Sequence, residues 1–244
     1  MKNFNTLLLV LLAVAFMAPV SVKAQEEEEE AEESSYAFSV GADLVSRYVW
    51  RGTDFGNAPA VQPGISFSAG GFEIGAWGSY SISSNTGGAE ADLYAGYSFD
   101  FGLSLGVTDY YFPGESLDLD GSLDSMNVFM GSLAPSREGA YFSGDAHAIE
   151  IAAGYEIGGL SLLVGYFISG DVYTEVGYGF GDVSLFVGAG NGAYTVDENF
   201  MVCNVGIGVE KEIKITDSFS LPMFGQLILN PDSEQVHWVV GVSF

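Results

Sequence analysis

The side chains best suited to chemistry in this chain are nine ionisable ones scattered among glycines: Asp43, Arg47, Arg51, Glu73, Glu90, Asp92, Glu150, Glu175 and His237. Six carboxylates against two guanidiniums and an imidazole suit one of two things. They could line a hydrated, acid-biased passage that attracts cations, or they could build an ion-pair lattice around Arg47 and Arg51 that stiffens a wall. Neither is catalysis. The nearest approach to a hydrolase constellation is Ser143, Asp145 and His147. Along a strand, positions four apart lie about 13 Å from each other, whereas a nucleophile and its base need contact near 3 Å. The acidic run Asp118-Leu119-Asp120-Gly121-Ser122-Leu123-Asp124 lacks the spacing of a calcium-binding EF-hand and reads as a solvated loop. His147 and His237 have no carboxylates at metal-ligand spacing, and no phosphate-binding loop is present. The chain therefore reads as a non-enzyme, with no catalytic, cofactor-binding or metal-binding residues.

What positions the nine residues is an alternation of period two. Tyr36, Phe38, Val40, Ala42, Leu44, Tyr48 and Trp50 share one face, and Ser39, Gly41, Asp43, Arg47 and Arg51 the other, which is a strand with one apolar side. The same dyad recurs over 61–69, 72–83, 90–99, 103–112, 146–157, 160–169, 172–180, 183–190, 200–209, 219–230 and 236–244. With 36–51, that predicts twelve strands and no helix. Links such as Gly70-Gly71, Asp100-Phe101, Gly158-Gly159 and Gly181-Asp182 are short, and 210–218 is longer. Most of the alternate set is longer, up to 113–145, with Gly170-Asp171 the exception. An even number of antiparallel strands with short turns on one side is the pattern of an outer-membrane barrel.

Aromatics on the apolar faces sort to the strand ends. Phe38, Phe72, Tyr97, Phe99, Tyr155, Phe180, Phe219 and Phe244 fall near the short turns; Tyr48, Trp50, Tyr80, Tyr111, Tyr166 and Trp238 fall near the long loops. Aliphatics such as Val40, Leu44, Ile74, Val164, Val205 and Ile207 lie between them. Two aromatic girdles around an aliphatic belt match a bilayer, with membrane lipids and lipopolysaccharide as neighbours. The glycines on the opposite face give room for a facing Trp77, Tyr94 or Tyr173.

The ends agree with export. Residues 1–24 read as a signal peptide: Lys2, an apolar run from Leu7 to Phe16 shorter than the roughly 20 residues that cross a bilayer, and a small-residue site at Val22-Lys23-Ala24. Residues 25–35 read as a disordered acidic leader with seven glutamates in 25–33. The barrel is expected over 36–244. Of 32 acidic and 7 basic residues, seven acids lie in the leader and Lys2 and Lys23 precede it, leaving 25 acids against 5 bases from Tyr36 onward. That balance excludes nucleic acid as a partner. A single cysteine, Cys203, excludes an internal disulfide. The closing alternation Val236, Trp238, Val240, Val242, Phe244 puts an aromatic at the C-terminus, where barrel-assembly machinery reads outer-membrane substrates.

Tyr48-Val49-Trp50-Arg51-Gly52 followed by Pro59-Ala60-Val61-Gln62-Pro63-Gly64, then Glu90-Ala91-Asp92-Leu93-Tyr94-Ala95-Gly96-Tyr97 and Tyr110-Tyr111-Phe112-Pro113-Gly114, resembles the TorF family of bacterial outer-membrane porins. Glu150 with Gly154-Tyr155 is similar to its later strand pattern. The resemblance runs from Tyr36 to about Tyr155. It implies an outer-membrane barrel of Gram-negative type with a channel role. The expectation is thus an all-β, twelve-stranded antiparallel up-and-down transmembrane barrel for passive diffusion of small solutes, cations preferred. The alternative is a surface structural or binding barrel with a filled lumen and a functional long loop, 113–145.

Overall fold

A computed structural model describes residues 36–83, 89–113, 141–142 and 146–244. The expected signal peptide, the acidic leader and most of loop 113–145 lie outside these residues. Fourteen strands follow in order: β1 Tyr36–Val45, β2 Val49–Trp50, β3 Thr53–Asp54, β4 Ala60–Ala69, β5 Phe72–Ser81, β6 Ala89–Ser98, β7 Leu103–Tyr111, β8 His147–Ile157, β9 Leu160–Phe167, β10 Val172–Phe180, β11 Val183–Gly190, β12 Met201–Lys214, β13 Ser220–Asn230 and β14 Gln235–Ser243. Twelve of them close into an antiparallel barrel in sequence order, β4 through β14 and then β1, which pairs on its other side with β4. Only β2 and β3 stand apart, as a two-stranded hairpin. Among the described residues there is no α-helix; one 3-10 turn spans Gly192–Tyr194.

Closure rests on β1 and β14. Asp43 lies opposite Ser243, Leu44 opposite Val242 and Val45 opposite Gly241. Phe244 extends the ladder by exchanging backbone hydrogen bonds with Ala42, 3.0 and 3.1 Å. No strand edge is left open in the ring, which is how a barrel avoids edge-to-edge association. The turns use glycine where the backbone requires it: Gly158 and Gly159 both have positive φ between β8 and β9, as a two-residue primed turn demands.

The alternation decides which side each residue faces. On β1, Phe38, Val40 and Leu44 are exposed on the outer wall, and Asp43 and Val45 point inward. Trp238 on β14 is 65 % exposed, while its neighbours His237 and Val239 are buried. Inward glycines seat aromatics of the adjacent strand. Tyr94 covers Gly75, Tyr173 covers Gly188, Phe186 covers Gly206 and Phe224 covers Gly241, each ring occupying the space a Cβ would need. The rings therefore lie flat on the inner wall.

Two expectations need correction. The first strand does not run to Arg51: it ends at Val45, and the chain turns into the barrel. Tyr48 and Trp50 are consequently not outer-wall aromatics; Tyr48 is 8 % exposed and Trp50 packs inside, whereas Tyr80, Tyr166 and Trp238 do face outward at that end. The other difference is at the short-turn end, where β12 and β13 stay paired as far as Lys214 and Ser220. The link that looked long is a hairpin projecting past the neighbouring strands, because β11 reaches only Val209 of β12.

Candidate functional site

The site is the lumen, and its outer half is occupied by the segment 46–59. Val49 pairs with Asp54 and Trp50 with Thr53, so Arg51 and Gly52 form a two-residue turn. Both have positive φ, 49° and 84°, which is the primed turn that matches hairpin twist. The hairpin tip presses on the bulge in β12: a Cβ on Gly52 would run into the carbonyl of Cys203. Asn230 of β13 donates to the Gly52 carbonyl at 3.1 Å. Only glycine meets both requirements at this point.

Arg51 anchors the plug. Its guanidinium gives Glu150 of β8 a two-pronged pair at 2.7 and 2.8 Å and donates to the Tyr194 hydroxyl at 2.6 Å. Tyr110 adds a hydrogen bond to Glu150 at 3.1 Å. The guanidinium carbon lies 4.3 Å from the Trp50 ring centre and 4.5 Å from that of Tyr173. Arg51 is charged, since a guanidinium does not give up its proton in proteins, and the Glu150 carboxylate supplies its counter-charge. Around it Trp50 meets Tyr110, Phe167 and Tyr194 at 5.5 to 6.3 Å between ring centres. A buried cation is tolerable here because its donors have acceptors and its faces have rings.

Arg47 is less buried and pairs with Asp54 within the same hairpin. Glu90, 5 % exposed, accepts from the Tyr48 hydroxyl at 3.3 Å, and Asp92, 1 % exposed, from the Tyr111 backbone at 3.4 Å. Glu175 is held by the Tyr173 hydroxyl and by Asn204 at 2.9 Å. Glu73 faces inward near the Gly70–Gly71 turn. His237 faces inward on β14, and neither ring nitrogen has a partner among the described residues.

Of the nine residues singled out in the sequence, the seven on strands all lie on the inward face. The two arginines reach the lumen from the hairpin instead. Two of the seven strand residues bond directly to the plug, Glu90 through Tyr48 and Glu150 through Arg51. Tyr194 and Asn204 complete this network, and no spacing in the sequence points to them.

Below the plug lies a cavity of about 320 Å³. Its lining runs from Trp50 and Arg51 down to the rim turn Gly181–Asp182 and includes Asp43, Glu175 and Glu210. Glu90 and Asp92 are not part of it. The cavity thus reaches the short-turn end and is roofed on the other side by the hairpin.

His147 stands on the outward face near the long-loop end. Its Nδ1 lies 2.7 Å from Asp109 and its Nε2 2.7 Å from the Tyr141 carbonyl, and Tyr111 stacks on the ring at 4.9 Å. Both nitrogens are engaged in holding loop to wall. Ser143 and Asp145 lie outside the described residues.

Residues 29–136 match the model of a family described as bacterial protein of unknown function, Gcw_chp. No curated protein matches the chain. Among solved structures, a triple mutant of the Rh. blastica porin is similar at 12 % identity and a TM-score of 0.37, over 87 % of this chain and 74 % of that one.

Proposed function

We propose that this barrel sits in the outer membrane and passes small solutes, cations in preference to anions, with its long-loop end closed by the hairpin in the conformation described here. The observation that carries this reading is the opposition of the two faces of one closed sheet. The outer wall exposes aliphatics between aromatic ends, among them Phe38, Val40, Ile65, Val176, Leu185 and Trp238. Water would not tolerate that belt on a free monomer, whereas hydrocarbon would. The inner wall around the cavity sets the carboxylates of Asp43, Glu175 and Glu210 among glycines and aromatic rings. The resemblance to TorF-family porins favours the same role, reached by export and insertion through recognition of Phe244. We assign it no catalytic activity, since the one histidine near a carboxylate on the outer wall, His147, is already committed at both ring nitrogens.

The plug favours a second reading, a barrel whose filled lumen serves binding while loop 113–145 makes the surface contact. Planar-bilayer recording separates the two. Wild-type protein and a variant with residues 47–58 replaced by a short Gly-Ser link are compared in potassium chloride. The passage reading expects a small conductance that rises severalfold without the hairpin, with a cation preference that fades as salt rises and screening shortens. If the hairpin-free barrel is folded and still passes no current, the passage reading falls.

A further inference from the structure

The seam that closes the barrel is its shallowest. β1 and β14 share three register pairs, against six to ten at every other seam of the ring. The ladder reaches one step further, to Ser46 and Val240, and there it changes. Ser46 N–H still donates to the Val240 carbonyl at 2.8 Å, but Val240 N–H is taken by the Ser46 hydroxyl at 2.9 Å instead of by its carbonyl. Above the closed ring β14 runs on alone. Trp238 and Val236 continue the row of backbone groups turned toward β1, and among the described residues neither has a partner on that side. Their side chains report the same gap. Trp238 and Val236 are 65 % and 64 % exposed, whereas Leu227 and Leu229 on β13, flanked by strands on both sides, are each 42 %.

The segment that fits this edge is the one that leaves it. Continuing the β1–β14 register places Tyr48 opposite Trp238 and Trp50 opposite Val236. Parity agrees, since Tyr48 and Trp50 follow Leu44 on the outward side while Arg47 and Arg51 follow Asp43 on the inward one. There both rings would join Tyr80 and Trp238 in the outer aromatic girdle, with Tyr48 and Trp238 as a cross-strand pair. The hairpin also carries a pivot. The β1–β4 register would bring Trp50 opposite Phe55, but within the hairpin Trp50 pairs with Thr53. Gly56 and Asn57, both at positive φ, take up the difference.

We propose that the hairpin is a gate with two seats. One is the plug already described. In the other, residues 46–50 zip onto the free edge of β14 and extend the wall, which clears the outer half of the lumen. The exchange trades the Arg51–Glu150 pair and the ring contacts of Trp50 for ladder hydrogen bonds and two aromatic side chains at the bilayer interface. Each seat satisfies the same segment with a different set of partners, which is what makes an element bistable. The gate deepens the passage reading, on which its use rests, but the movement itself requires no current.

Disulfide trapping of the full barrel in lipid vesicles tests the second seat. Tyr48→Cys with Trp238→Cys, in a Cys203→Ala background, sets two thiols on opposite sides of the wall in the plugged state. Only the wall seat brings them to cross-strand distance, about 5 Å between Cβ atoms. Oxidation with copper-phenanthroline should link them, and at least tenfold faster when Gly52→Ala unseats the hairpin tip. Tyr48→Cys with Leu227→Cys, one strand further along the outer face, should not link. A second measurement keeps the hairpin's rings. With Trp238→Phe the two remaining tryptophans, Trp50 and Trp77, both pack inside, so brominated lipid should quench little of their fluorescence. Adding Gly52→Ala should bring Trp50 to the lipid and raise the quenching. Absence of the 48–238 link in folded protein overturns the gate; where the cysteine pair does not fold, absence of added quenching does. Equal linking to position 227 also overturns it, since the wall would then be loosening without a register. Current is read separately: a folded barrel trapped by the link that passes none removes the passage and leaves the gate, and wild-type current with neither link nor quenching does the reverse.

Discussion

Arg51 and Glu150, 99 residues apart in the chain, meet in a two-pronged ion pair against the inner wall, over Gly165 of β9. The pair ties the tip of an inserted hairpin to the wall at β8, and both partners are almost fully buried.

Breaking that pair from one side leaves a charge stranded. Glu150→Ala is expected to lower the free energy of unfolding by roughly 3–5 kcal/mol, because Arg51 keeps its charge without its carboxylate. Adding Arg51→Met should recover much of the loss. Urea unfolding in lipid vesicles measures both; equal losses in the single and double variants would mean that the hairpin contacts, not the charges, hold the plug.

Gly52 should tolerate no side chain. Gly52→Ala forces a left-handed backbone that costs about 1–2 kcal/mol and also collides with the Cys203 carbonyl. The expected outcome is a displaced hairpin. Cys203 is fully buried and is the chain's one thiol, so its reaction with a soluble maleimide reports the change. Labelling should be slow in wild type and at least tenfold faster in the variant.

Facing predicts charge tolerance. Leu44→Arg or Val205→Arg is expected to destabilise the inserted barrel by roughly 2–4 kcal/mol, while Ser184→Arg, which points into the cavity, should be much milder. Gly206→Ser is instructive here. Parity alone would make it harmless, but it displaces the Phe186 ring from its seat and should cost stability.

Removing Phe244 deletes both backbone hydrogen bonds with Ala42 at the closing seam. Phe244 deletion should reduce the heat-modifiable fraction recovered in the outer membrane, and Phe244→Asp should do so less if the seam rather than the aromatic matters. Full recovery of both variants would rule out a part for Phe244 in assembly.

Selectivity should follow the cavity rather than the buried carboxylates. Glu90→Gln with Asp92→Asn is expected to leave the reversal potential in a salt gradient nearly unchanged, because both groups lie outside the cavity lining. Asp43→Asn with Glu210→Gln should shift it toward neutrality. The opposite ranking would place the permeation path along β6.

The alternation of side chains determined most of this fold, because a period of two is a local property that each strand carries by itself. Leu44 out and Asp43 in, Trp238 out and His237 in, needed no knowledge of any other strand. Even strand number and short glycine turns then left closure as the means of pairing every edge. The hairpin was hidden by the same rule. Tyr48 and Trp50 continue the alternation of Leu44, so period two extends straight through the point where the chain leaves the wall. Parity says which residues share a side, but not whether that side still belongs to the barrel. The local clue was Arg51-Gly52, a two-residue turn without the usual asparagine or aspartate before glycine. What tips the segment inward is distant: Glu150, Tyr194, Cys203 and Asn230, brought to one place only when twelve strands close. The sequence therefore settled the wall, and the tertiary structure decided what fills it, since burying Arg51 is favourable only where carboxylate and rings from far along the chain surround it.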